Sequence, residues 1–429
     1  MVDEKVKRVL NELNPFWRGP FKLEYKERSI YSEIRKMVKE PQIISLCGLR
    51  RVGKTTILRK IMSDLLEGNP PDSILYFSFD DFQALELLDV IDGFREIHGK
   101  DPKFLFFDEI QKLPNWAEKV KLLYDTGKYK IFISGSESLF LRKGSRESLA
   151  GRLYEFEVKR LSFSEYLNFV GKAEMAEKPQ LYDVGLKKEF EMYALTAGFP
   201  EMIGKEDRAT VKQYIRNAVV EKIVFMDMAR IYPIENPAQL ISILDMLTDN
   251  PGMIVDFASL SQELGIHRHT LAKYFEYLEM AHLVVKLYNF SRNRVISEKR
   301  LKKFYPAFLS SALADGGEEW MGKVVETLCV VGTGAKFFWR DKYKDEVDIV
   351  LQKGDKIVPV EIKYQNKPGQ NRGLGKFCKK YGCKEAILVT KNARKSGGEP
   401  ANVAWMPAYE FLLGFSEGKP GNGEIKRKG

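Results

Sequence analysis

Residues 43–56 restrict what this chain can fold into more than any other stretch. An apolar run, Ile43-Ile44-Ser45-Leu46, leads into Cys47-Gly48-Leu49-Arg50-Arg51-Val52-Gly53-Lys54-Thr55-Thr56, and a helical pattern follows. The spacing is G-x-x-x-x-G-K-[ST] between a strand and a helix, the context in which such a loop wraps phosphate groups. Gly48 and Gly53 let backbone N–H groups converge, Lys54 offers a point charge to β- and γ-phosphates, and Thr55 offers a hydroxyl to magnesium. Gly48, Leu49, Arg50, Arg51, Val52, Gly53, Lys54, Thr55 and Thr56 are therefore expected to hold a nucleotide.

Around this loop, short apolar runs alternate with helical stretches: Ile74-Leu75-Tyr76-Phe77, Phe104-Leu105-Phe106-Phe107 and Ile131-Phe132-Ile133. Strands that are apolar throughout, with helices between them, predict a parallel sheet covered on both faces. The third run ends in Asp108-Glu109, which suits Asp108 to magnesium and Glu109 to orienting an attacking water. The fourth ends at Ser134-Gly135-Ser136, where Ser134 is either a sensor of the γ-phosphate or part of an ordinary turn. Arg152, just before Tyr154-Glu155-Phe156-Glu157-Val158, either stabilises transferred charge, in its own chain or a neighbour's, or pairs with Glu165.

These residues, with Ile110-Gln111 and Trp116 after the acid pair, Gly151-Arg152, Leu161-Ser162-Phe163-Ser164-Glu165 and Gly198-Phe199-Pro200-Glu201, give the chain a specific resemblance. It resembles the archaeal and bacterial AAA-type (AAA+), STAND-related P-loop ATPases that carry a C-terminal nuclease-like domain. The resemblance implies ATP and Mg2+ as cofactors, and catalytic roles for Lys54, Asp108, Glu109 and Arg152, with a homo-oligomer if Arg152 acts across a subunit boundary.

Sixty-nine basic against 59 acidic side chains leave a net charge of +10, which favours a polyanionic partner if the excess is clustered. The cysteines at 47, 329, 378 and 383 form no Cys-x-x-Cys pair, so neither a zinc site nor a disulfide framework is expected. No apolar run approaches the ~20 residues that span a bilayer. The expectation is a soluble, cytoplasmic protein without a membrane partner.

Residues 257–266 read as a short helix closed by Gly265, and residues 267–280 as a second helix, the layout of a helix-turn-helix. Leu271, Tyr274, Phe275 and Leu278 form its buried stripe and leave Arg268, His269 and Lys273 exposed. Residues 283–290 and 295–299, joined by Ser291-Arg292-Asn293-Arg294, read as a wing with Arg294 at its basic tip. The unit either contacts DNA or serves as a packing module, and the run Lys299-Arg300, Lys302-Lys303 is either a nucleic-acid patch or a solvated face.

Further on, Asp345-Glu346-Val347-Asp348-Ile349-Val350-Leu351 and Ile357-Val358-Pro359-Val360-Glu361-Ile362-Lys363 flank a turn at Gly354-Asp355. With a two-residue turn, Lys353 pairs with Lys356, Asp348 falls opposite Glu361, and Glu346 opposite Lys363. Opposed carboxylates call for a cation, and a divalent metal with Lys363 beside it and Glu326 as a further ligand is the expected occupant. Glu326, Asp348, Glu361 and Lys363 together resemble the PD-(D/E)xK nuclease core, which implies Mg2+ or Mn2+ there. The same alternation also fits a hairpin whose polar face is merely wet.

The expected architecture is α/β: an N-terminal helical lead-in (1–40), a P-loop parallel sheet (41–160), a helical lid (161–250), a winged helix-turn-helix (251–304), a C-terminal α/β restriction-endonuclease-like domain (305–415) and a disordered tail (416–429). The function expected is ATP hydrolysis coupled to binding or processing of nucleic acid, most simply DNA. The alternative is a nucleotide-driven switch whose C-terminal domain is an inactive docking surface.

Overall fold

The computed structural model describes residues 4–80, 86–135, 149–293, 295, 297, 301–314, 316–354, 356–367, 369, 372–397 and 402–415. Ser136, Arg294 and the tail 416–429 lie outside them. The chain divides into two compact units, Met1–Arg160 and Leu161–Gly429.

The first unit runs α1 (Glu4–Leu13), α2 (Tyr31–Met37), β1 (Ile43–Cys47), α3 (Lys54–Leu66), β2 (Ile74–Ser78), α4 (Leu87–His98), β3 (Phe104–Asp108), α5 (Trp116–Asp125), β4 (Lys130–Ser134) and β5 (Leu153–Glu157). Its five strands are all parallel, in the order β2-β3-β4-β1-β5. Alternate strand residues enter opposite cores. Ile43, Leu75, Phe77, Leu105, Phe107, Ile131 and Ile133 pack with α1, α4 and α5, while Ile44, Leu46, Tyr76, Phe106 and Phe132 pack with α2 and α3. Burial on both faces is the reason β1 to β4 are mostly apolar, while the edge strand β5 is only partly buried and carries Glu155 and Glu157.

The helical lead-in contains the helices α1 and α2. Val6, Val9 and Leu10 bury one face of α1. Asn14 then meets the edge strand β2. Its Nδ2 donates to the carbonyl of Tyr76 at 2.8 Å, and its Oδ1 accepts from the Tyr76 N–H at 2.8 Å, while Trp17 Nε1 donates to the Ile74 carbonyl at 2.9 Å. Side chains here satisfy backbone groups that an edge strand otherwise exposes.

The second unit begins with α6 (Phe163–Phe169) and α7 (Asp183–Thr196), followed by mostly helical residues 208–231 and α8 (Pro237–Asp249). It continues with β6 (Met253–Val255), α9 (Phe257–Leu264), α10 (Arg268–Met280), β7 (Val284–Asn289), β8 (Lys302–Pro306), α11 (Gly317–Thr333), β9 (Phe337–Arg340), β10 (Glu346–Val347), β11 (Ile349–Lys353), β12 (Lys356–Lys363), α12 (Arg372–Tyr381), β13 (Glu385–Thr390), β14 (Lys395–Gly397), β15 (Asn402–Pro407) and α13 (Ala408–Leu413). One sheet has the order β10-β9-β7-β8-β6 and the other β11-β12-β13-β15-β14.

Two features of this unit differ from the sequence reading. The partner of β7 is β8, not residues 295–299, of which Val295 and Ser297 are helical. The expected boundary at 304 falls inside β8, and β7 also pairs with β9 through Tyr288↔Phe337 and Asn289↔Phe338. A single core joins Phe163 and Phe190 to Leu287, Tyr305, Val325, Phe338, Ile362 and Tyr409, so these segments share one interior. Among the described residues no helix is long and apolar enough to cross a membrane.

Candidate functional site

In a parallel sheet every strand presents its C-terminal end on the same side, and the order β3-β4-β1 brings three such ends together. The loop after β1 thus lies beside Asp108 at the end of β3 and Ser134 at the end of β4. Gly48 is required at the start of that loop. Its φ is +136°, and a Cβ there would lie 2.3 Å from the carbonyl oxygen of Val158. Gly53, at φ +96°, caps α3.

Lys54 is buried and its Nζ donates to the carbonyls of Gly48 at 2.9 Å and Leu49 at 2.7 Å, spanning the mouth of the loop. Asp108, also buried, is a hydrogen-bonding hub. Its Oδ2 accepts from Thr55 Oγ1 at 2.7 Å and from Tyr76 OH at 3.2 Å, while its Oδ1 accepts from the Glu109 N–H at 3.1 Å and from the Ser134 hydroxyl. Glu109 stands in the left-handed region at φ +51°, and its Oε2 accepts from Gln111 Nε2 at 2.6 Å. Burial pushes the Glu109 carboxyl up, opposed by the positive charges of Lys54 and Arg50. Thr55 and Asp108 are hard oxygen donors in mutual contact, a set that fits magnesium.

Two contributors went unread in the sequence. Arg28, from the lead-in, is buried and donates from Nη1 to the Val52 carbonyl at 2.9 Å and from Nη2 to the Lys159 carbonyl at 2.7 Å, bracing the loop from behind. Tyr76 reaches Asp108 from the neighbouring strand. Neither sits in a local pattern: sheet order brings Tyr76 beside Asp108, and the folded path of the lead-in brings Arg28 to the loop.

Arg152 neither reaches the phosphate loop of its own chain nor pairs with Glu165. Its carbonyl accepts from Ile43 N–H, so it stands where β1 and β5 begin, a strand length of roughly 16 Å from the loop. Its Nε pairs with Asp125 at 2.9 Å, and Glu165 instead closes a capping box with Ser162 at the start of α6. Within one chain Arg152 does not reach the phosphate loop, because β5 runs parallel to β1 and carries its first residue to the far end.

On the second unit, Asp256 caps α9 by accepting from the N–H groups of Ala258 and Ser259, each at 2.9 Å, and Gly265 turns the chain at φ +62°. Arg268, His269 and Lys273 are exposed on α10, while Leu271, Tyr274, Phe275 and Leu278 are buried. Arg294, the fourth residue expected to meet nucleic acid, is outside the described residues.

The C-terminal hairpin has the expected register, with Lys353 opposite Lys356 and Ile349 opposite Val360. Continued one step, it sets Asp348 level with Glu361, and Asp348 Oδ2 accepts from the Ile362 N–H at 2.9 Å. Glu346 departs from the count. It pairs with Arg340 on β9 rather than facing Lys363, because the strand changes sheets after Val347. The cation beside the acids is a lysine. Lys303 Nζ lies 2.9 Å from Glu326 Oε1, 2.7 Å from Glu346 Oε1 and 3.4 Å from Asp348 Oδ1, while Lys363 Nζ lies 3.0 Å from Glu361 Oε1. Burial together with the nearby Glu361 and Glu326 pushes the Asp348 carboxyl well up. Burial acts against the Lys303 ammonium, but Tyr305 and the three acids keep it charged. Among the described residues, no group of three or more His, Cys, Asp or Glu is arranged to hold a metal ion. The expected metal at Glu326, Asp348, Glu361 and Lys363 therefore does not fit this arrangement, since an ammonium stands among the carboxylates. Lys303, read from sequence as part of a basic run, is buried here.

Comparison with known proteins bears on each segment separately. Residues 40–167 match the family model described as an AAA domain, residues 187–314 a domain of unknown function (DUF8612), and residues 322–409 another (DUF4143). The first segment is accordingly an AAA-type P-loop domain. An uncharacterized protein of Methanocaldococcus jannaschii is 31% identical over 285 residues, which cover 64% of this chain and 63% of that protein. A Haemophilus influenzae protein, also uncharacterized, is 26% identical over 340 residues, 75% of this chain and 82% of its own length. The matches span under two thirds of the first two curated relatives, 63% and 65%. Among solved structures, the Orc1 protein of Aeropyrum pernix in complex with DNA is 14% identical with a TM-score of 0.32, covering 72% of this chain and 93% of that one.

Proposed function

We propose that this chain binds and hydrolyses ATP at the Gly48–Thr56 loop and couples that turnover to nucleic acid. The observation that carries the reading is the convergence of Thr55, Tyr76, Ser134 and the Glu109 N–H on one buried carboxylate, Asp108, with Thr55 following Lys54 in the loop. Lys54 exchanges the loop carbonyls for β- and γ-phosphate oxygens. Magnesium, held through Thr55 and Asp108, would supply charge to the γ-phosphoryl group. Glu109, half-buried and held by Gln111, orients the attacking water and draws its proton. Ser134, bonded to Asp108 at the end of β4, registers the γ-phosphate in this reading. A contribution from Arg152 would have to be made on a neighbouring copy.

Lys54→Ala should lose ATP binding or turnover, while Glu109→Gln should keep binding and lose about 100-fold or more of the rate, as expected on losing a general base. Turnover at the wild-type rate in both variants, measured by phosphate release, would overturn the assignment.

The coupling to nucleic acid rests on the exposed Arg268, His269 and Lys273 at the start of the second helix of a helix-turn-helix, which we read as a winged helix. The second reading is a nucleotide-driven switch, and Lys303 among the acids of the nuclease-like domain favours it. Stimulation of ATP hydrolysis by DNA, lost in Arg268→Ala with Lys273→Ala, separates the first reading from the second.

A further inference from the structure

The strand β8 has two working faces. Phe304 points to the helix-turn-helix, where its ring meets Phe275 at 4.8 Å and Phe257 at 6.3 Å. Lys303 and Tyr305, on either side of it, point the other way, as alternation along a strand requires. Tyr305 OH donates to Glu326 Oε1 at 2.6 Å, the oxygen that Lys303 also reaches. The lysine side chain is 7% exposed, and its three acidic partners lie on α11, on β10 and just before β11. Gly252 makes room for both residues: at φ +79° it donates to the Phe304 carbonyl at 2.9 Å, and a Cβ there would lie 2.8 Å from the Tyr305 ring and 3.1 Å from Lys303 Cε.

We infer that Lys303, carried on β8 beneath the helix-turn-helix, is the resident cation of the pocket formed by Glu326, Glu346 and Asp348, and that the pocket takes no divalent metal while that ammonium is in place. Three acidic side chains drawn together in a partly buried space disfavour one another's charge unless a cation sits among them, and Lys303, fixed on a strand by its backbone ladder, supplies that cation. The ammonium also prevents a metal from reaching Glu326 and Asp348 together, since both already close on Nζ. In this protein the acid constellation thus ties β8 to α11 and β10, and cleavage chemistry that needs a metal at Asp348 is blocked. The inference is independent of the nucleotide-binding loop, and its failure would leave the tests of ATP hydrolysis untouched.

The test uses the full chain without nucleotide and reads bound Mn2+ by electron paramagnetic resonance. Wild type and Asp348→Asn should take up equal Mn2+, because Asp348 binds none. Lys303→Met should melt at a lower temperature, gain one Mn2+ with a matching rise in Tm, and lose that gain when Asp348→Asn is added. Wild-type uptake that falls on Asp348→Asn would overturn the inference, as would a Lys303→Met chain that keeps the wild-type Tm and gains no ion. If Lys303→Met fails to fold, the wild-type and Asp348→Asn pair still decides the matter, and folding of Lys303→Arg would support the need for a cation.

Discussion

His282 closes α10 with φ +54°, and burial pushes its imidazole down to about 4. An unfolded histidine titrates near 6.5, so between these values the unfolded chain binds more protons than the folded one. Stability should therefore fall as pH drops from about 6.5 towards 4, by up to about 3 kcal/mol from this residue. Urea unfolding of wild type and His282→Asn at neutral pH and near pH 4 should show a smaller acid loss in the variant, since asparagine tolerates the left-handed backbone and carries no proton. An equal loss in both would assign the acid sensitivity elsewhere. Arg28 makes a related point about reach. It stands 24 residues before Val52 and 131 before Lys159, yet it holds both carbonyls, and no window of sequence could have linked the three.

At the scale of elements, Asn14 acts as a substitute strand residue for β2. Asn14→Ala would leave the Tyr76 N–H and carbonyl without that partner in a buried site, at about 2–4 kcal/mol in all. Urea denaturation of the full chain checks this, and a change below about 0.5 kcal/mol would mean that the edge finds other partners. The strands β1 to β4 of this sheet were legible in the sequence: Ile43, Ile74, Phe104 and Ile131 each begin or lie within an apolar run, because cores on both faces favour apolar residues at successive positions. The helix α1 is legible too, in the i, i+3, i+4 spacing of Val6, Val9 and Leu10. The strand β8 was not. It opens with Lys302-Lys303, which reads as solvated charge, and only acids 23 to 45 residues later explain why Lys303 is inside. The hairpin count placed Asp348 level with Glu361, yet local counting had no means of knowing that Glu346 leaves for another sheet.

For the molecule as a whole, the division at Arg160 and the shared interior after Leu161 decide where the chain can be cut. Residues 305–415 alone should not fold, since β9 would lose β7 and the core would lose Leu287 together with Phe163 and Phe190. Residues 161–415 should give dispersed amide spectra and a cooperative melt, and the same behaviour from 305–415 would show that the shared core is dispensable. The ladder between β7 and β9 also bears on inheritance. The two domain families meet between residues 314 and 322, yet Tyr288 and Asn289 on one side are hydrogen-bonded neighbours of Phe337 and Phe338 on the other. A recombination event that replaced one segment with a relative's would have to bring a compatible strand to that seam, so the two segments should descend together, and lineages that exchanged only one should be rare.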